Sequence, residues 1–204
     1  ALMLAAAAPA PMSAIDAERA FAADAQKIGQ WTAFKKWSTP DALMFTPQPT
    51  NAHRFVAKLK NPAVPVFWWP GLSYVSCDGT TAINTGPWVR EYGKSVGYFT
   101  TVWVRQKDGG WKWIYDSADE EKFMRGEGGD IAPVVADCSR PNMPAATTLT
   151  PPGVRVGSGR SPDGTLEWAW VVRPDGSRSF LANLWDGKKR QQVIDDEVAA
   201  AGAR

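Results

Sequence analysis

Proton transfer at carbon requires a carboxylate or imidazole partly stripped of water, so that its pKa approaches the working pH. This chain offers one histidine, His53, and three carboxylates near element ends, Asp41, Asp116 and Asp119, with Tyr98 and Tyr115 as hydroxyl donors. His53 has Pro49, Thr50 and Ala57 at helical distance and no carboxylate to orient it, so it reads first as a surface or capping residue and second as a general base. A single histidine excludes any motif that needs two, and two cysteines exclude a four-Cys zinc site. No metal and no cofactor is expected. Gly157-Ser158-Gly159 lacks both the lysine of a phosphate loop and the spacing of a nucleophile elbow. Cys77 and Cys138 sit in no catalytic motif; they read as a disulfide or as two buried thiols.

Composition narrows the classes further. At about 150 residues per domain, 204 residues fit one domain with a large appendage, or two small ones. A net charge of +2 without a long basic run gives no nucleic-acid footprint. Eleven tryptophans are the strongest compositional signal. Residues 1–12 open on an apolar, small-residue stretch that reads as the remnant of a secretory signal or as a disordered leader. The first reading implies a periplasmic or secreted protein, and an oxidising compartment favours the Cys77–Cys138 pair. No later stretch reaches the roughly 18 apolar residues of a membrane span.

The elements that must position these residues follow from periodicity. Ser13 and Asp16 form a capping pattern, with acidic Glu18 in the early turns. Ile15, Phe21, Ala22, Ala25 and Ile28 recur at helical spacing until Gly29. Trp31, Phe34 and Trp37 mark a second helix that Thr39-Pro40 stops. A short strand at 42–46 precedes a third helix over about Asn51 to Lys60, capped by Thr50, with Phe55, Val56 and Leu59 on its apolar face. Strands follow at 64–69, 72–77, 80–90, 96–106 and 111–117. Residues 13–125 therefore read as three helices on a curved antiparallel sheet, an α+β unit. Residues 126–152 form a Gly/Pro-rich connector, and 153–204 a β-meander. Leu166, Trp168, Trp170 and Val172 line one face of that meander, which needs a partner layer and is expected to pack on the first unit. In the strand starting at 111, alternation puts Trp111, Trp113, Tyr115 and Ser117 on one face and Lys112, Ile114 and Asp116 on the other.

Several spaced elements carry a resemblance: Trp68 with Pro70, the Asp78-Gly79 turn, Thr85-Gly86-Pro87-Trp88, Gly97 and Phe99 with Val102-Trp103, and Asp108-Gly109 with Trp111-Lys112. Over about residues 13–120 the chain resembles the SnoaL-like branch of the nuclear transport factor 2-like superfamily, the ketosteroid-isomerase-like cone. It departs from the branch at Asn84, where a tyrosine is frequent, and at Tyr115-Asp116-Ser117, where a histidine is frequent. The resemblance implies an apolar cavity between helices and concave sheet, with Trp31, Phe34, Trp68, Trp88, Tyr98, Trp113 and Tyr115 as wall or mouth. It also implies, for the enzymes among its members, a pocket carboxylate aided by a tyrosine. Asp116 lies opposite Trp113 in an ideal strand, which counts against it. Three readings follow: a binder of a small apolar or aromatic molecule; a cofactor-free isomerase, lyase or hydrolase; and a Trp-rich module for a protein or glycan partner. A homodimer is compatible with all three.

Overall fold

The computed structural model describes residues 11–121, 124–126, 128–139, 152–200 and 202. The apolar stretch 1–10 and much of the expected connector, 127 and 140–151, lie outside them.

Helix α1 (Ala14–Ile28) starts with a complete capping box between Ser13 and Asp16. Gly29 ends it at φ +97°, where a β-carbon would collide with the Asn61 side chain. Asn61 Oδ1 accepts from the Trp31 N–H at 2.7 Å and so caps the start of α2 (Gln30–Trp37). Strands β1 (Ser38–Phe45) and β2 (Pro49–Asn51) lead to α3 (Ala52–Val56). This helix is shorter than its apolar pattern suggested. Its cap is Asn51, which accepts from the Arg54 N–H at 3.0 Å, and Leu59 is exposed. Asn61-Pro62 disfavours further helical turns.

The first sheet is curved and mixed. It comprises β1, β2, β3 (Phe67–Trp68), β4 (Leu72–Val75), β5 (Thr81–Arg90), β6 (Ser95–Arg105), β7 (Trp111–Glu121) and β8 (Val134–Val135). Their order is β2-β1-β7-β6-β5-β4-β8, with β3 paired to β5. The expectation of a purely antiparallel sheet is corrected at two places, because β1 runs parallel to β7 and β8 parallel to β4. Both pairs join strands far apart in sequence, for which no tight hairpin constrains direction.

Strands β9 (Arg155–Arg160), β10 (Leu166–Val172), β11 (Arg178–Trp185) and β12 (Arg190–Val198) make a second, antiparallel sheet. The first sheet therefore has two covered faces. On the helix-facing side Trp103 and Trp113, both fully buried, pack with Phe21. On the opposite side Ile83, Val102 and Tyr115 pack with Leu166, Phe180 and Ile194. Gly157 and Gly159 face Trp170 and Trp168 across the β9–β10 ladder, where a β-carbon would overlap either indole. Those glycines seat rings and carry no loop chemistry. Cys77 and Cys138 form a disulfide with Cα atoms 5.2 Å apart. Close to it, the Cys77 N–H donates to Thr165 Oγ1 at 3.0 Å, joining the two sheets.

One irregularity decides what faces where. Along β6 and β7, Val102 pairs with Tyr115 but Trp103 pairs with Trp113. Ile114 is the extra residue of a β-bulge, and it reverses the alternation of everything after it.

Candidate functional site

The bulge overturns the facing read from ideal alternation. Trp111 and Trp113 remain on the helix-facing side, but Tyr115 and Ser117 turn to the second sheet and Asp116 turns to the helices. Asp116 then falls into register with Thr101 on β6, which pairs with Asn84 on β5, which pairs with Ser73 on β4. Four polar residues thus form a row across the helix-facing surface of the sheet.

At the Asp116 end of this row lies a pocket of about 250 Å³ between α1, α2 and the sheet. Trp31 and Phe34 of α2, Trp68 of β3 and Trp88 of β5 contribute to its wall, with Phe21 and Phe99. Asp116 also lines it, and is the only carboxylate to do so among the described residues. Desolvation by burial pushes the Asp116 carboxyl up from 3.8 to about 7, and the Thr101 hydroxyl, donating at 3.1 Å, lowers it only in part. No cation pairs with it among the described residues. Asp116 nevertheless keeps partial exposure, so a molecule in the pocket can reach it.

Glu18 is a second buried carboxylate, on α1, with no solvent exposure. It accepts from Trp68 Nε1 at 2.9 Å, from Trp103 Nε1 at 2.6 Å and from Asn84 Nδ2 at 3.4 Å. Desolvation raises it from 4.5 to about 7, the indole N–H bonds lower it, and the Asp116 charge raises it again. Glu18 thereby holds the Trp68 indole, part of the pocket wall, in a fixed orientation. Reading Glu18 as an early-turn acid complementing the helix dipole missed this role. Its position three after Ile15 and four before Ala22 is the signal, since that places it on the apolar stripe of α1.

The other candidates scatter. Trp113 is sealed behind Phe21 and Phe34, with ring centroids 6.3 and 5.9 Å away. Tyr98 faces the second sheet, with the Arg125 guanidinium stacked 3.5 Å from its ring centroid. Tyr115 packs on Phe180 at 4.6 Å. Burial raises the pKa of both phenols, and neither reaches the pocket. Tyr98 and Tyr115 are thus corrected as pocket residues: the β7 bulge that brings Asp116 in turns Tyr115 away, and Tyr98, beside helix-facing Phe99 on β6, points to the other face by alternation. Asp41 is exposed on β1. Asp119 pairs in register with Tyr98 on the far side of the sheet, and its carbonyl accepts from Trp88 Nε1 at 3.2 Å. His53 Nε2 lies 2.9 Å from Ser38 Oγ, outside the pocket. Among the described residues, no group of three or more His, Cys, Asp or Glu side chains could hold a metal ion. No described helix is long and apolar enough to cross a membrane.

No family model matches the chain, and no curated protein matches it. Solved structures similar to part of it include a candidate aromatic ring hydroxylase from Novosphingobium aromaticivorans, 17% identical, covering 55% of this chain and 89% of its own, with a TM-score of 0.37. A candidate ketosteroid isomerase from Shewanella frigidimarina is 18% identical over 54% of this chain and 98% of its own, at 0.37. A protein with unknown function from Pectobacterium atrosepticum is 10% identical over 56% and 98%, at 0.40. All three have the nuclear transport factor 2-like fold.

Proposed function

We propose that this protein binds a small apolar, ring-containing molecule in the pocket between α1, α2 and the sheet, and that Asp116 exchanges a proton with it. The reaction class is a cofactor-free isomerisation or elimination at a carbon acid. The carrying observation is a reachable carboxylate, raised to about 7, on the floor of an aromatic pocket. An ionised Asp116 removes a proton from carbon and becomes the neutral acid; the same acid returns that proton to another carbon or to a leaving group. Aromatic walls exclude water and hold the ring in place. Residues 13–125 supply this machinery, with 153–204 as a supporting sheet. Periplasmic or secreted placement is part of the proposal; the disulfide supports it.

Solvent-deuterium exchange at the α-carbon of 2-tetralone, followed by NMR, tests the reading. The native protein should accelerate exchange and Asp116→Asn should abolish the acceleration. If 2-tetralone binds and quenches tryptophan fluorescence while native and D116N proteins exchange it equally slowly, the protein is a binder and not a catalyst.

A further inference from the structure

The pocket has a donor edge as well as an acidic floor. Arg90 ends β5 and lines the pocket. Its guanidinium carbon lies 4.9 Å from the Trp88 ring centroid. That indole is itself fixed, donating from Nε1 to the Tyr98 carbonyl at 3.0 Å and the Asp119 carbonyl at 3.2 Å. Glu91, next along the chain, is paired with Lys94 at 3.5 Å and leaves Arg90 unneutralised. The Arg90 side chain makes no hydrogen bond and no ion pair with another described residue. A second donor stands on α2. Gln30 is buried in the pocket wall, and its side-chain oxygen accepts from the Val66 N–H at 2.9 Å. Fixing the oxygen there fixes which end of the amide carries N–H groups, and no described acceptor takes them.

From these positions we infer that the pocket's ligand is an aromatic or alicyclic ring carrying a carboxylate, which Arg90 engages at the pocket edge while the ring packs among Trp31, Phe34, Trp68 and Trp88. The inference rests on the proposed ring-binding pocket and names the class of molecule it selects. A planar guanidinium donates two parallel N–H bonds to a carboxylate, and stacking on Trp88 holds that fork in place. A neutral ring would leave Arg90 with water alone, and an ammonium-bearing ring would be repelled. Asp116, at the floor, is left to the ring carbons and does not compete for the cation.

The test compares naphthalene-2-carboxylate with 2-acetylnaphthalene, the same ring bearing a neutral methyl ketone, by tryptophan fluorescence titration and calorimetry. The native protein should bind the carboxylate about ten-fold more tightly, the size of one charge-assisted contact. Arg90→Gln should bring the two affinities together by weakening only the carboxylate. Arg160→Gln removes the same charge from β9, outside the pocket, and should leave the preference intact. Arg90 is exposed, so its substitution leaves the core unchanged, which a thermal melt checks. Equal affinities in the native protein, or a preference that survives R90Q, overturn the inference and spare the ring-binding reading. If neither ring binds, both the inference and the ring-binding reading fall.

Discussion

Two aspartates lie on opposite sides of the first sheet, Asp116 as one of its own residues and Asp196 on the second sheet packed against it, and the environment gives them opposite meanings. Asp196 on β12 is buried at the junction of the two sheets, where it accepts from Arg125 Nη1 at 2.6 Å and from Thr100 Oγ1 at 2.6 Å. Asp116 faces the helices and has the Thr101 hydroxyl, with no cation among the described residues. Desolvation raises both carboxyls. For Asp196 an ion pair opposes the rise, and the compensated group fastens one sheet to the other. For Asp116 little opposes it, and the group stays poised to gain or lose a proton. A buried carboxylate that is fully partnered holds structure together; one left short of partners beside a pocket is available for chemistry.

The largest effect should come from the poised aspartate. Asp116→Asn should reduce α-proton exchange by roughly 10²–10⁴-fold, the usual worth of a positioned general base, while the thermal midpoint stays level or rises. A fall in midpoint as large as the one expected at Arg125 would erase the contrast between the two carboxylates. Breaking the partnered pair should do the reverse. Arg125→Met leaves Asp196 buried without its cation and should cost about 3 kcal/mol in urea unfolding, with exchange activity per folded molecule unchanged.

The contrast was only half legible in the sequence. Capping at Ser13, the Gly29 stop, the aromatic strands and the turn signals give the α+β order because each is local chemistry. Trp31, Phe34, Trp68 and Trp88 reach the pocket because helical spacing and unbroken strand alternation fix their sides. Ideal alternation puts Asp116 on the wrong face because a bulge is a property of two strands; nothing in Trp111-Lys112-Trp113-Ile114-Tyr115 announces that Ile114 lacks a partner across the ladder. Tyr115 leaves the pocket by the same bulge, whereas Tyr98 leaves it by plain alternation on β6, where its neighbour Phe99 and Trp103 take the helix-facing side. The Ser73-Asn84-Thr101-Asp116 row needs the register of four strands, which no single strand encodes. The parallel pairings of β1 and β8 depend on tertiary packing in the same way.

Glu18 sharpens the comparison through pH. Its carboxyl moves from 4.5 in the unfolded chain to about 7 in the fold, and that of Asp116 from 3.8 to about 7. Between those limits the folded state binds protons that the unfolded state has released, so stability must fall as pH rises. The stabilisation is fully present below about pH 4 and is lost as pH passes 7. Asp196, also raised, adds in the same direction. The urea midpoint of the native protein should therefore decline from pH 5 to pH 8, and Glu18→Gln should make the decline shallower. An unchanged slope would mean that Glu18 keeps one protonation state throughout.

The smallest effect belongs to the one hydroxyl that supports the poised carboxylate. Thr101 is fully buried and donates to Asp116 Oδ2 at 3.1 Å. That bond favours the ionised form, so its loss must raise the Asp116 pKa further. Thr101→Val keeps the β-branched shape and removes the donor. A hydrogen bond to a charged acceptor contributes on the order of 1.5 kcal/mol, so the alkaline-rising limb of the exchange profile should move up by roughly one pH unit. Well above that limb Asp116 is ionised in both proteins, and their rates should converge. A profile lowered evenly at every pH would instead show that Thr101 positions the substrate, and Asp116 would then owe its proton affinity to burial alone.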